Sequence, residues 1–93
     1  MAEVLAIETI VSDPNVRGGR PVIAGTGIMV SDIAAYTNYQ GMTPDELAAQ
    51  LNLTLGQVHA ALAYYYDHKA EIDAEIRANR EEAEVLLGKL INE

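Results

Sequence analysis

Two helix starts, Thr43 and Thr54, stand only eleven residues apart in the chain. Thr43-Pro44-Asp45-Glu46 carries an N-terminal signal at almost every position. The threonine oxygen takes an orphan backbone N–H, proline fits the first helical position, and Glu46 is placed to reach back. The helix begun there must stop near Asn52, a residue that suits a left-handed turn. Thr54 then caps a second helix. Helices over 44–51 and 55–66, joined this tightly, match helix-turn-helix spacing. Ala48 is small enough to let them approach closely, and Val58 is placed to anchor the second on the first.

The flanking segments complete the expected fold. Ser31 precedes DIAAYTNYQ and is read as the cap of an earlier helix that Gly41 ends. Upstream, Ile7, Thr9 and Val11 alternate as in a strand. Ser12-Asp13-Pro14-Asn15 is turn chemistry, Gly18-Gly19 permits a positive φ, and Pro21 blocks a helix. Val22-Ile23 and Ile28-Met29-Val30 are short apolar runs around Gly25-Thr26-Gly27, which predicts two small strands joined by tight turns. Downstream, Val58, Leu62, Tyr65, Ile72 and Ile76 fall in a narrow arc at ~100° per residue. Lys69 interrupts that stripe, which predicts a bend or a register change near residues 67–70. Asp73 and Arg77 form a favourable pair four residues apart, while Glu71 and Glu75 repel at the same spacing. Asn79 and Gly88 weaken the helix. Val85, Leu86, Leu87, Leu90 and Ile91 then make a tail too apolar to be left bare. The expected fold is mainly α, a three-helix homeodomain-like helix-turn-helix bundle with a short N-terminal β-hairpin and an extended C-terminal helix. Residues 1–76 form the domain and residues 77–93 a helical extension.

Composition narrows the function. At 93 residues, one domain is expected, with a core small enough that a partner or second copy often completes it. No apolar run approaches the ~20 residues of a membrane span. The N-terminus MAEVLAIETIV lacks a basic n-region and an Ala-x-Ala site, so a cytoplasmic protein is expected. With no cysteine, disulfides, thiolate metal sites and cysteine nucleophiles are excluded. The formal net charge is −8. Residues 1–68 hold two basic and seven acidic side chains, residues 69–93 four and seven. Neither part shows the positive stripe of a stand-alone nucleic-acid binder.

The glycine-rich stretch NVRGGRPVIAGTGIMV is not a phosphate loop. It lacks the Gly-Lys-Ser/Thr of a Walker loop, and Val30 stands where a dinucleotide fingerprint needs its third glycine. Glycines for turns and Pro21 for rigidity give a scaffold. Arg17 and Arg20 remain candidates for contact with phosphate or with a partner's carboxylate. On the helix-turn-helix face, Thr54, Gln57 and His59 are the candidate DNA contacts, with Gln57 placed to read adenine. No Lys or Arg accompanies them before Lys69, which argues against tight DNA binding by a monomer. Among Tyr64, Tyr65 and Tyr66, Tyr65 points to the core stripe, Tyr64 to the opposite face as a candidate contact, and Tyr66 to a flank. His59 and His68 do not converge, and no Ser/His/Asp set appears, so no catalytic residue, metal or cofactor is expected.

Three blocks in order, IVSDPNVRGGRPVIAGTGIMV, GMTPDELAAQL and LTLGQVHAALAYYYDHKAEID, resemble the bacterial domain of unknown function 433. The resemblance covers roughly residues 7–76. It implies a small helix-turn-helix protein with an N-terminal β element, of the VapB-like antitoxin kind. Such a protein would bind and inhibit a PIN-like ribonuclease encoded beside it and repress its own operon. Where the family has Gly-Thr-Arg, this chain has Gly25-Thr26-Gly27, and losing that cation weighs against DNA binding. PIN-type sites hold metal with clustered carboxylates. Arginines backed by an apolar segment suit such a site, which points to Arg77 and Arg80 with Leu86, Leu87 and Leu90, and to Tyr64 as a further partner contact. The rival reading is a homodimeric structural module without nucleic-acid binding. A small metal-dependent enzyme is the weakest of the three.

Overall fold

The computed structural model describes residue 2 and residues 9–91, with side chains through residue 89. Ile7 of the expected first strand lies outside the described residues. The chain is mainly helical, with a two-stranded antiparallel sheet ahead of four helices. The sheet pairs β1 (Ile10–Val11) with β2 (Val22–Ile23), in the register Ile10 to Ile23 and Val11 to Val22. The helices are α1 (Val30–Gln40), α2 (Pro44–Leu51), α3 (Leu55–Asp67) and α4 (Lys69–Ile91).

The Ile28–Val30 run does not form the partner strand. Met29 makes only an isolated bridge to Val22, and Val30 already opens α1. The turn between is closed by Thr26, whose hydroxyl donates to the Ile23 carbonyl (2.8 Å) and accepts from the Ile28 N–H (3.0 Å). This pairing also displaces the expected cap. Val30 N–H donates to the Pro21 carbonyl at 2.9 Å, which pins the extended chain at Met29 and starts the helix directly after it. Ser31 therefore sits inside the first turn, 1% exposed. Asp32 supplies the cap in its place by accepting from the Met29 N–H at 3.1 Å.

The tandem starts at Thr43 and Thr54 are formed as expected. Thr43 accepts from the Glu46 N–H, and Glu46 accepts from the Thr43 N–H, at 3.2 Å each. Asn52 closes α2 in the left-handed region with φ 56°. Gly41 does the same for α1 at φ 64°.

The long stripe is split between two helices, and the expected bend or register change falls at His68. His68 leaves helical geometry at φ −130° and ψ 39° and caps α3, its N–H reaching the carbonyls of Tyr64 and Tyr65. Its ring stacks on Tyr64 with centroids 4.1 Å apart. That break redirects α4 so that Ile72 and Ile76 pack into the core with Ile23, Val30, Ile33, Leu47, Val58 and Tyr65. α4 packs on α1 and α3. It crosses position 76 without interruption and continues as an exposed arm. The long dimension of the molecule is 65 Å against 29 and 24 Å for the other two.

Candidate interaction site

The glycine loop is a rigid clip. Arg17, Gly18 and Gly19 all take positive φ, at 51°, 65° and 83°. Such a run is open to glycine and unusual for arginine. Arg17 is held there because its Nε donates to the Gly27 carbonyl at 2.9 Å. A Cβ added at Gly27 would meet Arg17 Nε at 3.6 Å, an ordinary contact, so space does not select glycine at that position. Arg20 reaches further. Its Nη1 donates to Asn79 Oδ1 at 2.9 Å and lies near the Met29 sulfur. One arginine thus braces the loop, and the other ties the loop to the root of the α4 arm.

At the start of α3, Thr54 and Gln57 are bonded to each other's backbone. Thr54 accepts from the Gln57 N–H at 3.1 Å, and Gln57 Oε1 accepts from the Thr54 N–H at 2.8 Å. The Gln57 side chain therefore serves as a cap. A Gln three residues after a capping Thr was the signal for this. His59 is exposed. No hydrogen bond among the described residues joins Thr54, Gln57 and His59 to Arg17 and Arg20.

The three tyrosines differ. Tyr65 is buried and its hydroxyl is saturated, accepting from Asn38 Nδ2 and donating to Asp73, both at 2.8 Å. Lys69 Nζ completes the set at 3.1 Å from Asp73. The Tyr65 hydrogen bond, then Lys69, hold the Asp73 carboxyl below its ordinary range, and Asp73 and Tyr65 together raise Lys69. Tyr64 is half-buried against His68. Tyr66, expected at a packed flank, is 62% exposed, its ring tilted against that of Tyr65 with centroids 5.2 Å apart.

The arm carries the remaining candidates. Arg77 is exposed beside Asp73. The Arg80 guanidinium lies over the Tyr39 ring, 5.5 Å from its centroid. Together they border a groove of about 360 Å³ between α1 and α4, lined also by Ala35, Tyr36 and Ile76. It adjoins a cleft lined by Ser31, Asn79 and Ala83. Ser31 Oγ has no hydrogen-bond partner. Ala35, Tyr36 and Tyr39 recur at helical spacing, so this face of α1 was visible in the sequence without its partner. Further out, Val85, Leu86 and Leu87 are between 57% and 61% exposed. The side chain of Leu90 lies outside the described residues.

Among the described residues, no group of His, Asp or Glu could hold a metal ion. None of the described helices is long and apolar enough to cross a membrane.

Clip, four helices and projecting arm define, among the described residues, a small helical protein with exposed apolar side chains on its arm. The chain belongs to the family described as a protein of unknown function, DUF433, whose pattern matches residues 10–65. The match runs from β1 into α3 and leaves α4 outside it. The chain is similar to a crystal structure of a DUF433 member from Anabaena variabilis. The two are 37% identical with a TM-score of 0.69, over 74% of this chain and 68% of that one. No curated protein matches.

Proposed function

We propose that this protein is an antitoxin-like, cytoplasmic partner-binding protein that inhibits a PIN-type ribonuclease through its α4 arm. The observation that carries the reading is the arm itself: Leu86 and Leu87 exposed on a helix that has left its core, with Arg77 and Arg80 at its base. Exposed apolar groups that cluster on one element of a small monomer mark an interaction surface. The arginines suit a carboxylate-rich cleft, since guanidinium forks pair with carboxylates in two-point contacts. Arg80 rests on Tyr39 and so is partly ordered before binding. The antitoxin identity draws on the likeness of the three sequence blocks to the DUF433 family.

Operator binding is the secondary part of this reading. The first three helices act as a homeodomain-like unit, with α3 entering a groove and Arg17 and Arg20 near phosphate. The net charge of −8 and the commitment of Gln57 to its cap restrict this to a complex or a dimer. The test is RNA cleavage by the neighbour-encoded ribonuclease, titrated with this chain. Inhibition that is lost in an Arg77→Ala/Arg80→Ala variant supports the reading. Full inhibition by that variant removes the arginine mechanism, and absence of inhibition by the wild type removes the function.

A further inference from the structure

We infer that two copies of this chain pair antiparallel through the outer half of α4, with Ala83 and Leu86 in the seam and Glu82 facing Lys89 of the other copy. The inference does not rest on the ribonuclease reading.

The stripe on α4 that enters the core does not end where the core ends. Ile72 and Ile76 are buried, and the same alternation of four- and three-residue steps continues through Asn79, Ala83 and Leu86. Steps of this kind generate a two-helix seam. Its inner part is used within the chain, where Arg20 occupies Asn79. Its outer part is bare, with Leu86 61% exposed.

Charge selects the occupant. The chain as a whole carries −8, so most surfaces of two copies repel. The arm over residues 77–91 has three basic and three acidic side chains and is neutral. It is an exposed helical segment on which two copies approach without net repulsion. The detail is also complementary. Glu82 and Lys89 flank Leu86 along one cleft of α4. They stand seven residues apart, roughly 10 Å of helical rise, too far to pair with each other. Neither makes an ion pair among the described residues. When Ala83 is set against Leu86 of an antiparallel copy, Glu82 stands two residues, about 3 Å of rise, from Lys89 of that copy, within reach of an ion pair, and the two-fold axis repeats the pair. A parallel arrangement would instead put Glu82 beside Glu82.

The size of the contact fits a second copy with a seat. Fifteen residues of helix span about 22 Å, less seam than an independent two-stranded coil uses. The antiparallel register brings the tip of one arm to the root of the other. There the α1–α4 groove, lined by Ala35, Tyr39 and Ile76, is open to receive it. The pairing leaves Arg77 and Leu87 on the adjacent edge of the helix, available to a different protein, while Arg80 borders the groove that takes the tip.

The experiment is sedimentation equilibrium of the full chain, with Leu86→Glu, Lys89→Glu and Glu82→Lys/Lys89→Glu variants. Circular dichroism establishes that each is folded, as expected for exposed positions. The wild type is expected to dimerise reversibly. Leu86→Glu should be monomeric, and Lys89→Glu should weaken the dimer about tenfold by turning two attractions into repulsions. The double charge reversal should restore it. A wild type that stays monomeric at its highest soluble concentration overturns the proposal. So does a dimer indifferent to Leu86→Glu, or a double reversal no tighter than Lys89→Glu. No ribonuclease enters this experiment, so its failure leaves the partner reading standing, and the converse holds.

Discussion

Arg20 donates a 2.9 Å hydrogen bond to Asn79, joining residues 59 positions apart in the chain. The bond locks the glycine clip to the point where α4 leaves the core. It makes the direction of the arm a property of the whole fold rather than of α4 alone. Both partners are half-buried, and the donor is charged, which places the bond above the neutral average.

Arg20→Ala and Asn79→Ala should each lower stability by about 1–2 kcal/mol. The double variant should cost little more than the worse single one, because both remove the same bond. Urea unfolding of the four chains measures this. Additive losses would show that the two side chains act separately.

Tyr65→Phe keeps the buried ring but leaves Asn38 and Asp73 without the hydroxyl, at a cost of about 1–2 kcal/mol. It should also change the pH dependence. Asp73 is held below its ordinary value, so its contribution is complete above an unfolded pKa of about 3.9 and is lost as pH falls through the lower folded value. Lys69 is raised, so its contribution is complete below about 10.4 and is lost as pH rises through the higher folded value. The gap in melting temperature between wild type and Tyr65→Phe should therefore be widest near neutrality and narrow in acid. A gap that stays constant down the acid limb would contradict the assigned bonds.

Thr54→Ala should destabilise by about 1 kcal/mol, and Gln57→Ala by a smaller amount, with no nucleic acid present. His59→Ala, at an exposed position, should change stability by less than about 0.5 kcal/mol. Thermal melts separate these roles. If Gln57→Ala were neutral in stability, its oxygen would be free for a ligand.

Leu87→Glu should leave the melting temperature nearly unchanged, since Leu87 is 57% exposed in the chain alone. It should nevertheless weaken binding to the ribonuclease. Calorimetry of the variant, alone and with the partner, tests both halves. A large loss of stability in the chain alone would mean that Leu87 packs within its own domain.

The sequence was legible where structure depends on near neighbours. Thr43, Asn52 and Thr54 announce their helices because caps and left-handed turns are settled within a few residues. The core side of α3 and α4 was legible because Val58, Tyr65, Ile72 and Ile76 keep one helical period. Ser31 misled because it has the chemistry of a cap, whereas the helix start is set by the bond from Val30 to Pro21 in the clip. The break at His68 comes with its stack on Tyr64, which spacing alone does not reveal. The α1–α4 groove was hidden for the same reason: Tyr39 and Arg80 meet only through the packing of two helices. Arg17 and Arg20 stood out by type, but their tasks, Gly27 and Asn79, are tertiary.

The central claim is that the arm binds a partner nuclease. Native mass spectrometry of the chain mixed with the PIN-type ribonuclease proposed as its partner tests it most directly. The account predicts a complex of fixed ratio that survives His59→Ala and is lost with Arg77→Ala/Arg80→Ala. Two folded proteins that do not associate, or a complex that the arginine variant leaves intact, would contradict it.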